Sequence, residues 1–134
     1  PNSFIYGICL GMQLLFDKSY EFSKTKGLGL IDGEVVKFGN VNADSTHLGW
    51  SKLNIINNDL RKNFKKFENK YFYFIHSYHV KPKLKKDIFA NSQHGTKSFC
   101  SIVKKENIFG TQFHPEKSGP LGIEFLKNLK KLKN

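Results

Sequence analysis

The chain has 134 residues, of which 39% are apolar, and its formal net charge is +11. This length allows one domain with a modest core, and no apolar run approaches the roughly 20 residues of a membrane-spanning helix. With only two cysteines, the chain fits a reducing, cytoplasmic setting. The lysines are scattered rather than clustered with exposed aromatic residues, so we expect no binding to nucleic acid. Without a long apolar run, we also expect no membrane partner.

The distribution of apolar residues predicts one continuous α/β unit. A strand over residues 3–8 leads into a helix from 10 to about 17, and the last helix begins at about 121. Between them, strands are predicted over residues 34–38, 50–56, 71–78, 98–103 and 108–113. The run from Tyr71 to Ile75 is apolar without alternation, as in a strand that is covered on both faces. We expect the polar loop over residues 39–47 to be mobile and to face a partner.

The first predicted strand runs into Gly7-Ile8-Cys9-Leu10-Gly11, which has the G-x-C-x-G pattern of a nucleophile elbow. In such an elbow a strand turns sharply into a helix and holds the nucleophile on a strained, exposed corner. A thiol at the start of a helix lies at the positive end of the helix dipole, so we expect Cys9 to ionise more easily than a free cysteine. Gly7 and Gly11 remove side chains where the turn is tight and where substrate must come close.

The last predicted strand leads into Phe113-His114-Pro115-Glu116. His114 can carry protons between Cys9 and a leaving group, while Glu116 orients the imidazole through its other ring nitrogen. A cysteine between two glycines is, by itself, more often a packing residue than a nucleophile. The strand and helix around Cys9, together with His-Pro-Glu at a strand end, favour a catalytic Cys-His-Glu triad over that alternative.

Three stretches carry a resemblance to a known family, namely GICLGMQLLF at 7–16, YFIHSYHV at 73–80 and GTQFHPEKS at 110–118. They resemble the class I glutamine amidotransferases, and within that family the glutaminase subunit of imidazole glycerol phosphate synthase. The resemblance implies a flavodoxin-like, three-layer α/β domain with a mixed sheet. It also implies that residues 1–134 are the C-terminal part of a single such domain, with its N-terminal strands missing. Because that part would include the family's glycine-rich oxyanion strand, we expect the segment alone to be inactive or poorly folded.

The resemblance also implies an activity and the residues that carry it. Glutamine would be hydrolysed at its side-chain amide through a thioester on Cys9, with His114 and Glu116 completing the triad and the N–H of Leu10 donating to the oxyanion. The ammonia would pass to a (β/α)8-barrel synthase subunit, bound as a heterodimer. Substrate contacts are implied at Gln13, Glu21, His76, Ser77 and Tyr78. Contacts with the synthase subunit are implied at Trp50 and Lys117.

Several of these residues also have a simpler interpretation. Gln13 can face solvent, although its apolar neighbours favour a pocket, and Glu21 can be a solvated carboxylate at a helix end. Trp50 can be a core residue, and Lys117 is one of many lysines. Cys100 is expected to pack as a small hydrophobe. The spacing of the histidines and of the two cysteines does not suggest a metal site, and we expect no cofactor.

The chain departs from the family pattern on both sides of His47-Leu48-Gly49-Trp50. The family usually has a proline before this histidine and an asparagine after the tryptophan, whereas Thr46 and Ser51 occupy those places. Because the resemblance implies that these positions face the synthase subunit, two pathways stay open, first histidine biosynthesis and second amination of a sugar for a bacterial surface polysaccharide. A non-catalytic remnant that only binds a partner is disfavoured by the intact triad. A γ-glutamyl hydrolase on the same fold is disfavoured by the match around residues 76–78 and at Lys117.

Overall fold

The computed structural model of the protein describes residues 3–21, 23–38, 46–58 and 61–133. Within these ranges the strands are β1 (Ile5–Ile8), β2 (Phe16–Ser19), β3 (Thr25–Lys26), β4 (Ile31–Lys37), β5 (His47–Lys52), β6 (Asn54–Ile55), β7 (Tyr71–His76), β8 (Tyr78–Pro82), β9 (Ile88–His94), β10 (Lys97–Lys105) and β11 (Ile108–Thr111). The α-helices are α1 (Leu10–Leu14), α2 (Arg61–Phe64) and α3 (Gly119–Leu129). Short 3-10 helices cover Lys65–Phe67, Lys85–Asp87, Pro115–Lys117 and Lys130–Lys133. None of the described helices is long and apolar enough to cross a membrane.

The main sheet is mixed and runs in the order β1-β11-β10-β8-β4-β2-β3, with β9 paired to β10 and β6 paired to β9. Strands β1 and β11 are parallel, and Gly7 lies opposite Gly110. The carboxyl ends of two parallel strands meet at the same edge of a sheet, which is where open α/β sheets bind their ligands. Since Cys9 follows β1 and His114 follows β11, the topology brings the predicted nucleophile and base to one edge.

The main sheet separates two hydrophobic cores. The first is rich in phenylalanine, and Phe125 of α3 packs there against the rings of Phe64, Phe67, Phe72 and Phe113. The second contains Met12 of α1 and apolar residues of β2, β4 and β8. Strand β10 contributes to both, with Phe99 in the first core and Cys100 in the second. This arrangement confirms the predicted three-layer α/β fold, and the burial of Cys100 confirms its predicted packing role.

Strands β5 and β7 form a separate antiparallel sheet, in which Trp50 lies opposite Tyr73. Burial alternates along β7: Phe72 and Phe74 are fully buried in the first core, whereas Tyr71 and Ile75 are 53% and 42% exposed. The prediction that residues 71–75 are covered on both faces is therefore wrong. One face of this small sheet lies at the surface of the described structure and keeps its apolar side chains there.

Other elements differ from the sequence prediction in their bounds. The helix predicted to reach residue 17 ends at Leu14, because Phe16 pairs with Ile31 as the first residue of β2. The strand predicted over 50–56 is divided between β5 and β6, which belong to different sheets. The strand predicted over 71–78 is likewise divided at Ser77. Strands β2, β3 and β9 were not predicted, and of the predicted loop over 39–47 only Thr46 and His47 lie within the described residues.

Candidate active site

Cys9 lies at the turn between β1 and α1 in a strained backbone conformation. Its φ is 54° and its ψ is −108°, a combination that residues with a side chain rarely adopt. Its N–H donates to the carbonyl oxygen of Thr111 at 2.7 Å, which ties the turn to the end of β11. A Cβ on Gly7 would lie 2.6 Å from the backbone of Gly11, so the strand and the helix approach this closely because residue 7 is glycine. This is the geometry of a nucleophile elbow.

Gly11 differs from Gly7 in what its surroundings require. A Cβ on Gly11 would have no heavy atom within 4 Å, apart from its sequence neighbours and the backbone of its own helix. The tight turn therefore explains the glycine at position 7 but not the one at position 11. For Gly11 the close approach of substrate stays a prediction.

The Cys9 thiol is half-buried, and its hydrogen-bond contacts among the described residues do not include His114. Its Sγ accepts the side-chain N–H of Gln112 at an N–S distance of 3.4 Å and lies 3.8 Å from the carbonyl oxygen of Ile75. Burial raises the pKa of the Cys9 thiol, and the N–H groups of Leu10 and Gln112 oppose that rise only in part. The expectation that Cys9 ionises more easily than a free cysteine is therefore wrong, because desolvation outweighs the donors around the sulfur.

His114 and Glu116 form a hydrogen-bonded pair after β11. Nδ1 of His114 lies 2.8 Å from Oε2 of Glu116, as expected for a carboxylate that orients an imidazole. A neutral imidazole that donates from Nδ1 to the carboxylate presents Nε2 as the base. Catalytic hydrogen bonds are often long before substrate binds, so the missing contact between His114 and Cys9 does not argue against their cooperation.

A cavity of about 150 Å³ opens beside the elbow. Its lining includes Leu10, Gln13 and Glu21, three residues that the sequence analysis selected for the oxyanion and for substrate. The other lining residues are Leu14, Ser19, Thr25, Lys26 and Gly27. The polar residues among these were missed because they lie on or beside β2 and β3, short strands without a recognisable apolar pattern. The lining combines a carboxylate, an ammonium group and an amide, which can together bind the charged α-amino and α-carboxylate groups of a free amino acid.

The segment from His76 to Tyr78 joins β7 to β8 and contacts the helix that lines the cavity. The carbonyl oxygen of Tyr78 accepts one hydrogen bond from Nε2 of Gln13 at 3.2 Å and another from Nδ1 of His76 at 2.8 Å. The hydroxyl groups of Ser77 and Thr46 lie 2.7 Å apart. The strand end is thus connected to the cavity through the backbone of Tyr78, while the side chain of His76 is buried.

His76 forms a buried pair with His47 of β5. Nε2 of His76 lies 3.1 Å from Nδ1 of His47, and Nε2 of His47 lies 2.8 Å from the hydroxyl oxygen of Ser51. Burial, helped by a smaller effect of the nearby His94, lowers the pKa of His47 to about 4 and that of His76 to about 3. Both rings are therefore neutral near pH 7. Within the described ranges, no group of three or more His, Cys, Asp or Glu side chains is placed to hold a metal ion.

The exposed side of the small sheet carries a row of apolar and aromatic side chains, here called the β5–β7 face: Leu48, Trp50, Tyr71, Tyr73 and Ile75. Trp50 is 53% exposed and meets Tyr73 edge to face, with ring centroids 5.7 Å apart. Trp50 is therefore not a core residue. Lys117 is also exposed, in the short helix that follows His114.

The chain matches the family model described as glutamine amidotransferase class-I over residues 2–131. It is 45% identical over 130 residues to the imidazole glycerol phosphate synthase subunit HisH of Methanocaldococcus jannaschii, an alignment that covers 94% of this chain and 62% of the relative. It is also 45% identical over 127 residues to the HisH subunit of Pelagibacter ubique, with coverage of 92% and 60%. The chain thus spans about three fifths of the length of these relatives.

Solved structures show the same fold. The chain superimposes on a glutamine amidotransferase crystal structure with a TM-score of 0.60 at 15% identity, covering 96% of this chain and 59% of that one. A glutamine amidotransferase from Thermotoga maritima gives a TM-score of 0.58 at 18% identity, covering 94% and 46%. Because the family match extends over nearly the whole sequence, including the elbow and the turn after β11, the chain belongs to the class-I glutamine amidotransferase family.

Proposed function

We propose that this chain carries the active site of a glutaminase, which hydrolyses L-glutamine to glutamate and ammonia with Cys9, His114 and Glu116. The observation that carries the proposal is the elbow, where a cysteine is held at a φ of 54° beside the cavity that Leu10 and Gln13 line. Backbone strain of this kind costs about 1–3 kcal/mol and is characteristic of active sites. Packing alone gives no reason for such a conformation at a cysteine.

In the proposed reaction, the Cys9 thiolate adds to the side-chain carbonyl carbon of glutamine and forms a C–S bond. The N–H of Leu10, directly after the nucleophile, donates to the oxyanion that develops. His114, which has taken the thiol proton, gives it to the amide nitrogen, so that the C–N bond breaks and ammonia leaves. A water molecule that the same imidazole deprotonates then hydrolyses the thioester and releases glutamate. Glu116 holds the imidazole and stabilises its charged form.

The lining of the cavity supports a free amino acid as the substrate. Glu21 offers a negative charge for the α-ammonium group, and Lys26 offers a positive charge for the α-carboxylate. Gln13 binds the carbonyl oxygen of Tyr78, so the cavity helix and the segment of His76, Ser77 and Tyr78 lie next to each other. This proximity supports the predicted contribution of that segment to the glutamine site.

As the acceptor of the ammonia we propose a (β/α)8-barrel synthase subunit, bound as a heterodimer on the β5–β7 face. An exposed tryptophan surrounded by apolar neighbours is the kind of residue that anchors protein interfaces, which supports Trp50 as a contact. Lys117 is exposed in the turn after β11, and the backbone of Tyr73 binds this turn at His114. The two HisH relatives support imidazole glycerol phosphate synthesis as the pathway. Because a thiol nucleophile needs reducing conditions, we place the complex in the cytoplasm.

The departures at Thr46 and Ser51 are compatible with this pathway. Both side chains form hydrogen bonds within the chain, Thr46 with Ser77 and Ser51 with His47. Neither residue belongs to the β5–β7 face, so the two departures leave the side chains of that face unchanged. That residues 1–134 are the C-terminal part of one glutamine amidotransferase domain stays a prediction. That the segment alone is inactive or poorly folded also stays a prediction.

The test is glutamate release from glutamine by the complete gene product, with and without each candidate barrel. We expect the histidine-pathway barrel to stimulate turnover and Cys9→Ala to abolish it. Cys100→Ala is the matched control, since Cys100 is buried in the second core. Stimulation by a sugar-modifying barrel alone would change the pathway but keep the chemistry. No turnover with either barrel, and no labelling of Cys9 by an electrophilic glutamine analogue, would identify a non-catalytic remnant.

A further inference from the structure

Gln112 directly follows β11, and its side chain is completely buried. Its backbone N–H donates to the carbonyl oxygen of Ser101 at 2.9 Å, so the residue is held firmly beside the sheet. A buried amide needs partners for both its oxygen and its nitrogen. Oε1 of Gln112 accepts from Nε2 of Gln13 at 3.2 Å, and Nε2 of Gln112 donates to Sγ of Cys9 at 3.4 Å. The side chain therefore lies between the cavity helix and the nucleophile.

A single backbone carbonyl decides the orientation of both amides. The oxygen of Tyr78 can only accept hydrogen bonds, so Gln13, whose amide is 3.2 Å away, must present its NH2 group to it. The second hydrogen of the same NH2 group is directed to Gln112, which must therefore present its oxygen to Gln13. The NH2 group of Gln112 is then the end that faces the sulfur of Cys9.

An N–H group that faces a sulfur atom favours the thiolate, because it donates to a negative charge and cannot accept an S–H hydrogen. Burial acts against the charge on Cys9, so the thiolate depends on the donors around it. Those donors are the N–H of Leu10 and the amide of Gln112. Since the N–H of Leu10 is also needed for the oxyanion, Gln112 is the donor that can stay with the sulfur during the reaction.

We propose that Gln112 is a positioning residue for the nucleophile, whose amide nitrogen holds the sulfur of Cys9 in place and stabilises the thiolate before glutamine is attacked. The catalytic role of Gln112 rests on the proposed glutaminase function, whereas its contacts with Gln13 and Cys9 do not depend on that function. Because Gln13 both lines the cavity and orients the Gln112 amide, the same hydrogen bonds connect the substrate cavity with the nucleophile.

The test is the pH profile of Cys9 alkylation by iodoacetamide in the complete gene product, with the modified cysteine identified by peptide mass spectrometry. Gln112→Met keeps the length of the side chain but removes the N–H, and we expect it to slow alkylation about tenfold at neutral pH. In the alkaline limit, where Cys9 is fully ionised in both proteins, the rates should be equal. Ser101→Ala is the control, since it removes a buried hydroxyl that binds Ser92 and does not contact Cys9.

Gln13→Met tests the same hydrogen bonds one step further from the sulfur, and it serves as the test if Gln112→Met does not fold. Without the donor on Gln13, the amide of Gln112 can turn its oxygen toward Cys9. We therefore expect Cys9 alkylation at neutral pH to slow in this variant too, but by less than in Gln112→Met.

An unchanged pH profile of alkylation in the folded variants would overturn the inference even if glutamine is hydrolysed normally. A slower rate that persists in the alkaline limit would also overturn it, because that result indicates a damaged elbow. A shifted pH profile supports the inference even if glutamine is not hydrolysed. The experiment therefore distinguishes a failure of this inference from a failure of the proposed glutaminase function.

Discussion

The backbone N–H of His114 donates to the carbonyl oxygen of Tyr73 at 3.0 Å, so the predicted base is attached to the strand that carries the β5–β7 face. The N–H of Tyr73 donates to the hydroxyl of Ser118 at 2.9 Å, and that hydroxyl donates to the carbonyl oxygen of His114 at 2.6 Å. Tyr73 is thereby bonded to both ends of the turn that contains His114 and Glu116, while its ring contacts Trp50. A partner bound on this face would contact the strand that positions the base.

Trp50→Ala should weaken binding of the barrel subunit about 30-fold, because truncation of a central aromatic anchor costs about 2 kcal/mol or more. The measurement is a calorimetric titration of the complete gene product with the barrel. Leu84→Ala is a suitable control, since Leu84 is also an exposed apolar residue but lies between β8 and β9. Unchanged affinity in Trp50→Ala, or an equal loss in both variants, would contradict the assignment of this face as the interface.

Glu116→Gln should lower kcat for glutamine about 10- to 100-fold with little change in KM. Glutamine at this position can still hydrogen-bond to Nδ1 of His114, but it does not stabilise the imidazolium that forms during turnover. We expect a smaller loss than for a buried carboxylate, because the side chain of Glu116 is 46% exposed. Steady-state kinetics of Glu124→Gln, which removes an exposed carboxylate paired with Lys66, provides the comparison. Equal kcat in both variants would remove Glu116 from the triad.

Gly7→Ala and Gly11→Ala should have opposite effects on the free energy of unfolding in urea. Alanine at position 7 would place a Cβ 2.6 Å from backbone atoms of Gly11, so we expect a loss of about 3 kcal/mol or more. Alanine at position 11 meets open space within a helix, where it is favoured over glycine by up to about 1 kcal/mol. If Gly11→Ala keeps full activity, the predicted close approach of substrate at this residue is wrong.

Acid should destabilise the protein through the buried histidine pair. The pKa of His47 is about 4 and that of His76 about 3 in the folded chain, against an ordinary value of 6.5. Between the folded and the ordinary pKa values, the unfolded chain binds more protons than the folded chain. The contribution of the neutral histidines to the free energy of unfolding is therefore complete above about pH 6.5 and is lost as the pH falls. For His47 alone the loss is about 2 kcal/mol at pH 5.

Urea unfolding at pH 7 and at pH 5 measures this effect, with His47→Gln as the test variant. Glutamine keeps hydrogen-bonding groups near His76 and Ser51 but does not titrate, so we expect a smaller loss of stability on acidification. His76 and His79, whose pKa values burial also lowers, remain in the variant, so part of the pH dependence should persist. An equal loss in the variant and in the original protein would contradict a role of His47 in acid sensitivity.

The chemistry at the ends of β1 and β11 could be predicted because it depends on neighbours along the chain. A cysteine between glycines after a strand folds as an elbow for local steric reasons, and His114 reaches Glu116 across two residues. The alignment of Gln112 with Cys9 had no comparable signal, since these residues are 103 positions apart. Strands β2 and β3 were missed because they are short and have no recognisable apolar pattern. The division of residues 71–78 between two sheets was missed because it depends on pairing with β5 and β4, which lie elsewhere in the chain.

The sequence by itself determined the elbow, the residue types of the predicted triad and the α/β class, because these follow from short-range sterics and apolar periodicity. Only the tertiary structure decided the pKa of Cys9, which the local sequence predicted to be lowered and which burial raises. Desolvation depends on every group packed around the sulfur, and here it outweighs the N–H groups of Leu10 and Gln112. The exposure of Trp50 was decided in the same way, because the side of a strand that faces solvent depends on which strands pack behind it.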